Sequence, residues 1–216
     1  EYTTELHKVD YNYRKAVIAF DKVRDHLEEF EAIALPVFSK LNNKYDRFLI
    51  EYNSEWQKLL EEKDFNFHNI DCNKQFNFYQ DNLGEVDYKM AVIISDAFRY
   101  ELGYELYNDL LADSKNNLTI QPCLASIPSY TNLGMSNLLP NKGITVEKGE
   151  QDLVFKINGK PTNSQNRQAI LQDNVPESVT IDYAEIIKFD RDTGRQFFIK
   201  NKLVYIYHDW MDAIGD

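Results

Sequence analysis

The chain has 216 residues, formal net charge −11, and 43% apolar, 13% aromatic and 27% charged residues. It is too long for a peptide-sized protein, too rich in Tyr and Phe for a mostly disordered one, and neither half is basic. That charge balance argues against tight, sequence-blind binding of duplex DNA through phosphate neutralisation.

The longest apolar stretch, Met90 to Ile94, falls far short of the roughly 20 residues a membrane span needs. No basic-then-apolar leader precedes it, so a soluble cytoplasmic protein without membrane partners is expected. Cys72 and Cys123 have no CxxC spacing, which suits reduced packing cysteines. The chain begins at Glu1 and stops at Asp216 on a motif-like stretch, and it reads as a segment of something larger.

From Tyr2 to about Leu60 there is no Gly and a single Pro, and apolar residues recur at helical spacing. Two long amphipathic helices are predicted, paired as an antiparallel hairpin or a kinked rod. Pro36 is placed where the first helix bends or stops, because an interior Pro removes a backbone hydrogen bond. A third, shorter helix is predicted around Asn73 to Asn82. Residues 1–85 are thus a helical lead-in and 86–216 a separate core.

In the core, short β-branched runs alternate with helices. Met90–Ile94 is apolar at every position, as in a strand covered on both faces of a parallel sheet. A helix over Arg99 to Leu111, a strand-like Leu118–Pro122 and a helix over Thr131 to Leu138 follow. Next come a hairpin across Asn158-Gly159, helix-compatible residues from Asn163 to Gln172, and two strands at Val179–Tyr183 and Leu203–Tyr207. Strands alternating with helices predict an α/β fold with a parallel, doubly wound sheet.

Open α/β sheets place ligands beyond the carboxyl ends of their strands, so the residues after each apolar run matter most. Asp96 follows the first strand, and its type fits either the N-cap of the next helix or a metal ligand. Thr131 opens a helix after Pro128, where it is either a cap or a nucleophile that needs an electrostatic activator. Asp212 and Asp216 are four apart, so a helical turn puts both on one face; such a pair is costly without a cation, or else is a solvent-facing tail. His208 alone of the four histidines follows a strand; His7, His26 and His68 are read as surface or core residues with no ligand role.

Three ordered blocks carry a resemblance. Val92–Glu101 (VIISDAFRYE), Ile127–Met135 (IPSYTNLGM) with Leu139-Pro140, and Val204–Asp216 (VYIYHDWMDAIGD) resemble the PglZ domain, a branch of the alkaline phosphatase superfamily found in BREX phage-defence systems. Over about residues 40–216 the likeness includes the Tyr45–Phe48 and Gln75–Tyr79 pieces. The resemblance implies an alkaline-phosphatase-like parallel sheet with flanking helices, truncated here. It implies a metal-dependent phosphatase or phosphodiesterase acting on a phosphate ester, an oligonucleotide among the candidates, with other BREX subunits as partners.

By the same resemblance Asp96 takes the place of the first metal-binding Asp, and Thr131 that of a nucleophile that also touches metal. Asp212 and Asp216 take the place of an Asp-x-x-x-His pair on the second metal. Asp216 standing for His leaves the metal between zinc and manganese, with magnesium compatible. Arg99 is a phosphate-binding candidate. The superfamily's remaining Asp-His pair and further His are absent, so this chain is expected to carry part of a site and to be inactive alone. Its open sheet edge favours self-association. The alternative is a non-catalytic scaffold that docks other defence subunits.

Overall fold

The computed structural model describes residues 1–24, 28–66, 69–84, 87–112, 115, 117–150 and 152–215. The chain divides into two compact units, Glu1–Asp71 with Arg99–Pro122, and Cys72–Phe98 with Cys123–Asp216.

The first unit is helical. A wide turn at Tyr2–Leu6 leads into α1 (His7–Arg24), and α2 spans Glu28–Glu62. Tyr13 stacks on Tyr45 with centroids 3.7 Å apart and Phe20 on Phe38 at 4.2 Å, a pairing of early with late residues that makes the two helices antiparallel. Pro36 lies inside α2 and is not a boundary. The interior Pro costs on the order of 3 kcal/mol in helix propensity. The Phe20–Phe38 and Tyr13–Tyr45 stacks follow directly downstream and hold the helix through it. The third element, α4 (Tyr100–Leu111), packs on α1 through Glu105, whose carboxylate meets Arg14 at 2.5 Å and Lys15 at 2.6 Å.

In the second unit a 3₁₀ turn (Gln75–Asn77) and α3 (Phe78–Leu83) form where the short helix is predicted. The sheet is built from β1 (Met90–Ser95), β5 (Ser178–Asp182) and β6 (Leu203–His208), all parallel, in the order β1-β6-β5. Helices α5 (Thr131–Asn137), α6 (Ser164–Gln172), α7 (Tyr183–Ile186), α8 (Arg191–Lys200) and α9 (Trp210–Gly215) accompany it. The core gathers Val92 and Ile94 of β1, Leu203 and Tyr205 of β6, Ile170 and Leu171 of α6, and Leu139. The architecture is therefore α/β with a parallel sheet and a helical N-terminal region, in keeping with an alkaline-phosphatase-like fold.

Two local expectations are corrected. β1 is an edge strand, and Ile93 is 67% exposed while Val92 and Ile94 face inward. The fully covered strand is the central one, β6, where Leu203 to Ile206 are all buried. Leu118–Pro122 forms no strand; Leu118 and Ile120 are too few apolar anchors ahead of Pro122, and this stretch leads only to a single bridge between Lys74 and Leu124. A second, antiparallel sheet joins β2 (Thr145–Lys148), β3 (Leu153–Ile157) and β4 (Lys160–Pro161). Its tight turn is Asn158-Gly159, both at positive φ (50° and 79°), as a two-residue hairpin with the right-handed strand twist requires.

Candidate functional site

The carboxyl ends of β1 and β6 lie side by side because the two strands pair in register from Met90 with Leu203 to Ser95 with His208. The Ser95 hydroxyl sits 2.8 Å from Nδ1 of His208. The next residue continues the junction, as the Asp96 backbone N–H donates to the His208 carbonyl at 2.9 Å. The His208 ring is held edge-on by Tyr183, with centroids 4.8 Å apart at 89°. His208 stands out in the sequence as the histidine that follows a strand, whereas Ser95 carries no such mark. Each ends an apolar run, and register pairing of those runs was the available signal.

Asp96 is half-buried and does not cap α4. That helix starts four residues later with Arg99 at its N-cap and no side-chain cap bond. Asp96 Oδ1 instead accepts from the Ala97 N–H at 3.0 Å, and Ala97 takes φ of 56°. The turn leaves the carboxylate at the carboxyl edge of the sheet, without the capping role that the sequence also allowed.

Thr131 is the first residue of α5, its N-cap position is Tyr130, and no side chain caps the helix. The Thr131 side chain is exposed. Its helix, by contrast, is held firmly. Leu124 N–H donates to the Asn73 carbonyl at 2.8 Å and Gln75 N–H to the Leu124 carbonyl at 3.0 Å, so the lead-in to α5 is zipped to the 3₁₀ turn. The Asn137 amide donates to the Ser126 hydroxyl, which also lies near Gln75 Oε1. At Gly134 an added Cβ would stand 3.4 Å from the Gln75 amide nitrogen, so the small residue lets that side chain pack against the helix. The Ser136 hydroxyl donates to the Asn132 carbonyl at 2.6 Å and lies 2.6 Å from the Thr162 hydroxyl. The buried Tyr205 of β6 donates its hydroxyl to the Leu138 carbonyl at 2.8 Å, and burial pushes that phenol far above its ordinary range.

Tyr207, two residues on, is pushed up to about 12 by burial, opposed by the Arg167 guanidinium lying 4.7 Å over its ring. Asp212 lies in the first turn of α9 and is exposed. Asp216, and with it the one-face reading of the pair, lies outside the described residues. Arg99 belongs to the helical unit, where it meets the buried Glu101 carboxylate at 3.3 Å.

The oxygen donors Asp96, Thr131 and Asp212 are chemically suited to a hard divalent cation. Among the described residues, however, no three His, Cys, Asp or Glu side chains come together as a metal cluster. The described part of the candidate set holds two carboxylates, Asp96 and Asp212, and the Thr131 hydroxyl.

The family model for the BREX system PglZ alkaline phosphatase-like domain matches residues 78–216, which hold every candidate position just described. This chain belongs to the PglZ family. It is 33% identical to the alkaline phosphatase-like protein PglZ of Bacillus cereus along its whole length, covering 25% of that protein. It is 31% identical to the alkaline phosphatase-like protein BrxZ of Escherichia coli over 59% of this chain and 15% of that one. The chain thus spans about a quarter of the length of the Bacillus relative. No solved structure matches it significantly. Among its described residues no helix is long and apolar enough to cross a membrane.

Proposed function

We propose that this chain is part of a metal-dependent phosphoric ester hydrolase, a phosphatase or phosphodiesterase, of a BREX-type phage-defence system, with Thr131 as the nucleophile. The observation that carries the reading is family membership across 78–216 together with an exposed Thr131 hydroxyl on a firmly anchored helix. Asp96, Thr131, Asp212 and Asp216 are the proposed metal donors, for zinc or manganese with magnesium compatible. Completing that site calls for Asp216 or for donors from the rest of a longer protein. Arg99 is the proposed phosphate contact.

The step assigned to this chain's own residues is the displacement. Thr131 Oγ forms a bond to phosphorus as the ester P–O bond breaks, and the alcohol departs with the hydroxyl proton. Water then attacks the phosphothreonine, releasing phosphate or a phosphomonoester and restoring the hydroxyl. Anchoring of α5 through Ser126, Asn137 and Tyr205 keeps Oγ in place for in-line attack.

Exposed apolar residues along α2, Ile33, Val37 and Ile50, favour one rival, a module that docks other defence subunits without chemistry of its own. A full-length Thr131→Ala variant separates the two. Loss of both hydrolysis and defence supports the hydrolase, and retained defence supports the scaffold.

A further inference from the structure

Among the described residues nothing covers one face of α2. Steps of three or four residues from Ile33 through Val37, Lys40, Lys44 and Arg47 to Glu51 and Glu55 stay on that face, and every one of these side chains is exposed. The face lies roughly a third of a turn round the helix from Phe38 and Tyr45, the rings that stack on α1.

Residue types follow a definite order along it. Ile33 and Val37, each 70% exposed, come first, three cations follow, and the two carboxylates come next. Phe65, 57% exposed, stands just beyond the end of the helix. Lys40, Lys44 and Arg47 make no ion pair among the described residues, while Glu55 holds Lys58 of its own helix through Oε1 at 2.6 Å. On a chain of net charge −11, three unpaired cations in one row call for an acidic partner. The same helix carries that partner's charges, because an order of apolar, basic, acidic and apolar residues complements itself when reversed.

We propose that α2 pairs antiparallel with α2 of a second copy of this chain, across a two-fold axis between Arg47 and Glu51. Arg47 of each protomer then faces Glu51 of its partner, Lys44 reaches Glu55, and Ile33 and Val37 meet Phe65 at both ends. Lys40 falls near Lys58 of the other copy, whose flanking Glu55 and Glu62 offset the like charge. An unrelated subunit on this face would require no such mirrored order. The inference stands apart from the hydrolase reading, since none of these residues is assigned to that chemistry.

Sedimentation velocity on the whole chain over a concentration series tests it, in about 50 mM and about 500 mM salt. A monomer–dimer equilibrium is expected, weakened at the higher salt. Lys44→Glu with Arg47→Glu forms one variant and Glu51→Lys with Glu55→Lys the other, all at exposed positions. Each variant alone should dimerise at least about tenfold more weakly, because like charges then meet across the axis. An equimolar mixture of the two should recover the wild-type affinity as a heterodimer. A wild-type chain that stays monomeric up to about 100 μM overturns the proposal and leaves the face to another partner. A dimer indifferent to both charge reversals, or a mixture that does not recover, overturns it too and moves self-association elsewhere, as to the β1 edge.

Discussion

The Ser95 hydroxyl and the His208 Nδ1 are hydrogen-bond neighbours at 2.8 Å, although 113 residues separate them in the chain. Register pairing of β1 with β6 makes that contact, and the same register sets Asp96 beside the His208 carbonyl. Ser95→Ala should leave Nδ1 unpaired, cost about 0.5–1.5 kcal/mol in denaturant unfolding, and shift the imidazole nitrogen resonances of His208. An unchanged midpoint with unchanged resonances would show that the hydroxyl does not hold the ring.

Tyr205 ties the central strand to the end of α5. Tyr205→Phe keeps the ring in the core and strands the Leu138 carbonyl, for an expected loss of about 1–3 kcal/mol. Equilibrium unfolding in urea measures it, and a loss within a few tenths of a kcal/mol of zero would mean that the carbonyl finds another donor.

The α8 cap gives a pH signature. Asp190 accepts from the Thr193 N–H at 2.7 Å, and that bond holds its carboxyl below the usual carboxylate range. A depressed carboxylate contributes stability that is complete above its unfolded-state value and is lost as pH falls through the folded one. Asp190→Ala should therefore lower the melting temperature at neutral pH by a few degrees, and the gap from wild type should close in acid below the normal carboxylate range. A gap that persists in strong acid would assign the effect to packing.

Much of this arrangement was legible in the residues. Apolar runs at Met90–Ile94 and Leu203–Tyr207 marked two parallel strands, and helical spacing marked α1, α2 and α4. What misled was local grammar that tertiary packing overrides. Pro36 reads as a bend or a stop, and the stop is excluded once the stacked rings beyond it are seen; Ile93 reads as buried until β1 proves to be an edge. Asp96 and Thr131 were each readable as helix caps, and only the backbone shows that α4 and α5 begin without either.

The central claim is that Thr131 attacks phosphorus. Its most direct test is phosphodiester hydrolysis by a full-length PglZ protein carrying this sequence, assayed with manganese and with zinc, beside Thr131→Ala and Thr131→Ser. The account predicts a fall of at least about a thousandfold for Thr131→Ala at unchanged stability, partial activity for Thr131→Ser, and a phosphorylated Thr131 peptide trapped on acid quenching. Hydrolysis by Thr131→Ala at the wild-type rate would contradict it.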